Sequence, residues 1–130
     1  MTSVYLDYNA TSLVRPEAAA AVAHALETGG NPSSVHAAGR AARAIVEQAR
    51  EDVAAMIAAP ASTVVFTSGG TEANALAIES AVAAGAKRLI ISAIEHDSVQ
   101  ETSRVQGVAV DVLPVTKDGV ADLDWLTARL

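Results

Sequence analysis

The segment Thr67-Ser68-Gly69-Gly70-Thr71-Glu72 combines residue types suited to holding an anion. Two adjacent glycines let the backbone turn tightly and present successive N–H groups. The Ser68 and Thr71 hydroxyls can donate, and a helical pattern starting at Thr71 brings the positive end of a helix dipole to the same place. Together these features form a cradle suited to a phosphate. The segment is not a P-loop, because the lysine and the spacing are missing, and it is not G-x-G-x-x-G. A plain strand-to-helix turn with a capping serine or threonine would use the same residues, and the local pattern does not separate the two readings.

Glu95-His96-Asp97 follows an apolar run, Arg88 to Ser92, that reads as a strand. Ligands of parallel sheets gather at the carboxyl ends of strands, so His96 and the cradle are expected at one sheet edge. A histidine there can stack on a ring or move protons, although a solvent-facing helix cap accounts for it locally. Asp7, Tyr8, Asn9 and Thr11 form a polar corner that reads as an Asx-type turn, and Asn31-Pro32-Ser33-Ser34 reads as a loop with a ready N-cap. His36 falls in the first turn of the next helix, and His24 lies on the first. No histidines or carboxylates have a metal-binding spacing.

These residues need elements to position them. Pro16 opens a helix that Gly29-Gly30 ends. A long helix runs to about Ala58, with Arg43 and Glu47 spaced to pair, and Pro60 closes it. Thr63 to Thr67 reads as a buried strand, Thr71 to about Ala84 as a helix, Arg88 to Ser92 as a strand, and Asp97 or Ser98 to Val105 as a short helix. Val108 to Leu113 is a third strand, Lys117-Asp118-Gly119 a turn, and Asp122 caps a last helix bearing Leu123, Leu126 and Leu130. Strands alternating with helices imply an α/β fold with a mainly parallel sheet and flanking helices. A sheet of three strands is narrow for this class, and the chain ends within a helical pattern, so a truncated domain is expected.

With 130 residues the chain is sized for one domain, and alanine supplies much of its apolar half. The net charge of −6 and scattered arginines leave no basic patch, which argues against nucleic-acid binding. There is no apolar run of membrane-spanning length and no signal-peptide pattern, so a soluble cytoplasmic protein is expected. Cysteine is absent, which removes disulfides and thiolate metal sites.

Four segments in order carry a resemblance across essentially the whole chain: Tyr5-Leu6-Asp7-Tyr8-Asn9-Ala10-Thr11, Gly30-Asn31-Pro32-Ser33-Ser34-Val35-His36, Phe66-Thr67-Ser68-Gly69-Gly70-Thr71-Glu72-Ala73-Asn74 and Glu95-His96. The chain resembles the start of cysteine desulfurases, in the class V group of fold-type I pyridoxal-phosphate (PLP) enzymes. Ser12 stands where many relatives have a second threonine. The resemblance implies the large domain of that fold, with residues 1–15 as an N-terminal arm and residues 16–130 as the first portion of the PLP-binding domain.

It also implies roles. Gly70 and Thr71 would bind the PLP phosphate, Ser68 and Gly69 would shape the loop, and His96 would stack on the pyridine ring and help move protons. Asn9, Ala10, Thr11 and Asn31 would lie toward the substrate. The implied reaction takes sulfur from L-cysteine, leaves alanine, and passes a persulfide to a sulfur-acceptor protein in iron–sulfur cluster assembly or thiolation. It needs a lysine to hold PLP and a low-pKa cysteine. The only lysines are Lys87 and Lys117, neither in the family's Ser-x-His-Lys setting.

The isolated chain is therefore expected to be inactive, with the remaining catalytic groups beyond Leu130 in a full-length relative. Relatives of this kind are homodimers. The resemblance also implies that the first strand, Val64 to Thr67, lacks its native neighbours, so low stability and self-association are expected. Selenocysteine lyase or another class V enzyme is a rival reading within the fold, and a non-catalytic α/β module binding a partner chain or a phosphate ligand is a rival outside it.

Overall fold

The computed structural model describes residues 4–8 and 10–130 and divides the chain into two compact units, Met1–Val65 and Phe66–Leu130.

In the first unit, α1 (Pro16–Thr28) has its proline in the first turn and ends at Gly29, whose φ of 60° suits a residue without a Cβ. The long helix α2 (Ala37–Met56) is capped differently from the expectation. Its cap is His36, whose Nδ1 accepts from the Gly39 N–H at 3.3 Å. The residues expected to cap it are engaged in their own turn: Asn31 Oδ1 accepts from the Ser33 N–H, and Asn31 O accepts from the Ser34 N–H, both at 2.9 Å.

This turn lies directly against the first turn of α2. A Cβ placed on Gly39 would sit 2.3 Å from Ser34 O and 2.8 Å from Asn31 O. At the other end, Ala59 N–H reaches back to Ala54 O at 3.0 Å, while Ala58 adopts φ 51°. That is the left-handed closing conformation for which glycine is the usual residue.

Two further expectations for this unit are corrected. Glu47 pairs with Arg50 at 3.1 Å, three residues on, rather than with Arg43. Arg50 also reaches Val64 O, so it ties α2 to the segment that follows. The run expected as a strand begins in a 3₁₀ turn, Ala61–Thr63, and continues extended from Val64 (φ −83°, ψ 124°) without ladder bonds. An extended segment becomes a strand only when a neighbour takes its N–H and C=O groups. The sheet among the described residues comprises β1 and β2 alone.

The second unit contains α3 (Gly70–Ala83), β1 (Arg88–Ser92), α4 (Asp97–Arg104), β2 (Ala109–Leu113) and α5 (Leu123–Thr127). The strands pair in parallel, Leu89 beside Val110 and Ile91 beside Val112, with α4 in the crossover. α4 packs against both α3 and β1. Two strands rather than three therefore carry the parallel-sheet expectation. The expected turn lies inside a small loop closed by an antiparallel bridge between Val115 and Ala121. Asp122 Oδ1 caps α5 by accepting from the Trp125 N–H at 2.9 Å. Asp111 on β2 joins Arg88 on β1 and, at 3.2 Å, Arg129 after α5.

Among the described residues Ala54 is the one apolar side chain in the buried class, while Met56, Val65 and Val112 are exposed. Intrinsic helix propensity misjudges Gly39 in α2 and Ala58 just beyond its end. Gly39→Ala should gain up to about 1 kcal/mol by propensity, yet its Cβ meets backbone that cannot move cheaply, so a net loss of about 1–3 kcal/mol is expected. Ala58→Gly should stabilise by about 1 kcal/mol by relieving the left-handed conformation. Urea unfolding followed by circular dichroism at 222 nm checks both signs.

Candidate functional site

The site is built at the start of α3. Gly69 stands at the N-cap position with φ 171° and ψ 178°, and no side chain caps the helix. Ala73 N–H returns to Gly69 O at 3.1 Å. The N–H groups of Gly70, Thr71 and Glu72 therefore have no intrahelical acceptor and stand at the positive end of the helix dipole.

The loop before them is pinned by Glu72, which folds back so that one carboxylate oxygen accepts from Ser68 Oγ at 2.6 Å and from the Ser68 N–H at 2.7 Å. Thr67 Oγ1 donates to Gly69 O at 3.1 Å. The Ser68 side-chain bond, then its backbone bond, hold the Glu72 pKa below the usual glutamate value. Ser68 was expected to offer its hydroxyl to an anion and instead gives it to Glu72. The Thr71 hydroxyl has no hydrogen-bond partner among the described residues.

Neither cradle glycine is required by the chain itself. Gly69 is in an extended conformation open to any residue, and a Cβ on either Gly69 or Gly70 would meet nothing within 4 Å. What glycine provides here is clear space over bare N–H groups, which suits close approach of a ligand to the backbone.

His96 comes to the same place from the sheet. It is the N-cap of α4, with Nδ1 accepting from the Ser98 N–H at 3.1 Å. Ser98 Oγ lies 2.9 Å from that nitrogen and 2.9 Å from Asn74 Nδ2 on α3. Gly70, Thr71, Asn74, His96 and Ser98 line one pocket of about 240 Å³. The cradle and the histidine, placed at one edge by sequence reasoning, do meet.

Neither Asn74, named only in the third resemblance segment, nor Ser98, expected with Asp97 as the cap of the short helix, was expected at the site; the cap is His96, and Asn74 lies one helical turn after Gly70. Ala10, Thr11 and Asn31 belong to the first unit. There the N–H groups of Ala10 and Thr11 turn back to Asp7 O, and Tyr5 Oη donates to Thr11 O at 3.0 Å. Asn9 lies outside the described residues.

Lys87 immediately precedes β1, at the end opposite His96, and Lys117 lies in the loop after β2. No group of three or more His, Asp or Glu side chains suited to a metal occurs among the described residues, and no helix there is long and apolar enough to cross a membrane.

Comparison with known proteins adds to this geometry. The family model described as Aminotransferase class-V matches residues 4–130. A cysteine desulfurase (IscS) of Dictyoglomus turgidum is 41% identical over 134 residues, covering 98% of this chain and 34% of its own. The human selenocysteine lyase is 39% identical over 153 residues, with 98% and 34% covered. Among solved structures, a NifS-like protein superposes with a TM-score of 0.83 at 34% identity, over 99% of this chain and 37% of its own. The chain thus spans about a third of the length of these relatives.

The Glu72 bond has a testable pH signature. A carboxyl group whose pKa is depressed on folding contributes order above its unfolded pKa and loses it as pH falls through the depressed value. The Ser68 amide resonance should therefore titrate with a midpoint below the ordinary glutamate value of 4.5. Glu72→Gln should abolish that titration. Amide spectra recorded from pH 6 to pH 2.5 provide the check, and a Ser68 midpoint at or above 4.5 would contradict the bond.

Proposed function

The chain belongs to the aminotransferase class-V family, and on that premise we propose that it is the N-terminal portion of a PLP-dependent cysteine desulfurase. In this reading residues 1–15 are an arm and residues 16–130 open the cofactor-binding large domain. The observation that carries the proposal is the pocket in which an uncapped helix N-terminus, Gly70 with free space above it and an unengaged Thr71 hydroxyl face a histidine at the start of the neighbouring helix.

These features fit the phosphate of PLP. Gly70 and Thr71 would hold it through bare N–H groups and the Thr71 hydroxyl, with charge complementarity from the α3 dipole. Ser68 and Gly69, tied down by Glu72 and Thr67, would keep the loop from closing over those donors. His96 would lie against the ring. PLP, when bound, would supply an electron sink for cleavage at the amino acid. Asn9, Ala10, Thr11 and Asn31 are proposed to face the substrate.

The whole protein would act on L-cysteine, pass sulfur to an acceptor protein, work as a homodimer and reside in the cytoplasm. The likeness to a selenocysteine lyase keeps selenocysteine as the alternative substrate. The 130 residues contain no cysteine, and neither lysine lines the pocket, so they are proposed to hold the phosphate without performing the reaction.

Adding PLP to the purified chain, reducing with borohydride and measuring intact mass tests the lysine argument. The expected mass is that of the unmodified chain, and a full equivalent of PLP on Lys87 or Lys117 would overturn the argument. In amide spectra PLP and inorganic phosphate should both shift Gly70 and Thr71. Thr71→Ala should weaken binding about ten-fold, as expected for one hydrogen bond to a charged group. Unmoved Gly70 and Thr71 resonances would sink the cradle reading.

A further inference from the structure

We infer that Asn74 and Ser98 are positioning residues that set the tautomer and ring orientation of His96, so that the neutral imidazole carries its hydrogen on Nε2. The inference rests on the proposed function for its importance to catalysis and on geometry alone for its existence.

The argument begins with the backbone. An N–H group can only donate, and the Ser98 N–H points to His96 Nδ1 at 3.1 Å. Nδ1 is therefore a bare acceptor, and the hydrogen of the neutral ring is on Nε2. The side chains add to this. Ser98 Oγ lies 2.9 Å from the same Nδ1, and Asn74 Nδ2 lies 2.9 Å from Ser98 Oγ. Asn74 donates to the hydroxyl oxygen, which leaves the hydroxyl hydrogen for Nδ1. Two donors, the hydroxyl and the backbone N–H of Ser98, meet at one ring nitrogen, and the Asn74 amide orients the hydroxyl from behind.

Burial sharpens the effect. Ser98 is 8% exposed, so little water competes for its hydroxyl, whereas His96 itself is exposed and has no enclosing wall to fix its ring. The ring is held by hydrogen bonds rather than by packing. The consequence for chemistry is definite. In this state His96 offers a donor at Nε2 and has no free lone pair at Nδ1, so it can give a hydrogen bond or stack, but it takes up a proton only by breaking the bonds from Ser98. Asn74 thereby links the helix that bears the anion cradle to the tautomer of the histidine.

Long-range ¹⁵N–¹H spectra of the full 130-residue chain, recorded without cofactor at a pH where the imidazole is neutral, test this. The unsubstituted chain should give the pattern of an Nε2–H ring at His96. Ser98→Ala should shift the tautomer ratio about five-fold toward Nδ1–H, the worth of one hydrogen bond, and Ser98→Thr, which keeps a hydroxyl, should restore the original ratio. Asn74→Asp should move the ratio in the same direction as Ser98→Ala, because a carboxylate takes the Ser98 hydrogen for itself.

Unchanged ratios in both Ser98→Ala and Asn74→Asp, with the β1 and β2 resonances native, would overturn the inference. So would an Nδ1–H ring in the unsubstituted chain. Because no PLP is present, failure of PLP to bind this chain would strike the proposed function and leave this result standing.

Discussion

Every helix must find acceptors for the N–H groups of its first turn, and the way this chain meets that demand organises the whole structure. α2 is closed by the His36 imidazole, α4 by the His96 imidazole and α5 by the Asp122 carboxylate. α1 and α3 are closed by no side chain, and at α3 a glycine without steric need stands at the cap position with a second at the first helical residue. An N-cap is worth about 1 kcal/mol, which is a large omission in a chain with so little buried apolar surface. At α3 the omission falls where His96, Ser98 and Asn74 converge. Under the proposed function that local cost belongs to the site.

Glu72 explains how the open end survives without collapsing. In a capping box the acidic residue of the first turn serves the cap residue itself. Here Glu72 reaches one residue further back, to both donors of Ser68, and so steadies the loop while leaving the N–H groups of Gly70 and Thr71 untouched. The same carboxylate also takes the Ser68 hydroxyl.

Much of this was legible in the sequence. Helical spacing and turn chemistry gave α1, α2, α3 and the parallel pair β1 and β2 nearly in place, because those signals depend on near neighbours in the chain. His96 follows β1 as the carboxyl-end rule expects, whereas the cradle meets it in one pocket although the segment before it is extended and in no sheet. The strand expected at Thr63 to Thr67 was not found, since strand formation is decided by a partner that β-branched composition cannot reveal. The cap of α2 was misplaced because Asn31 and Ser34 are better cap formers than histidine by type, and only the close approach at Gly39 decides that they belong to a separate turn. Asn74 was legible only as part of a resemblance segment and Ser98 only as a candidate helix start, because neither residue type announces chemistry. Their meaning lies in two distances of 2.9 Å across separate helices.

The two imidazole caps tie distant parts of the chain to one kind of chemistry. Of the three histidines, two lend the Nδ1 lone pair to a helix N-terminus, His36 in the first unit and His96 in the second. Anything that claims that lone pair, whether a proton, a divalent ion such as copper or an acylating reagent, withdraws a cap from α2 and α4 alike. A proton also places a cation at the wrong pole of each helix dipole. Capture of this protein on a metal-chelate resin through its own histidines would thus compete directly with its folding, and a tag placed away from both units avoids the conflict.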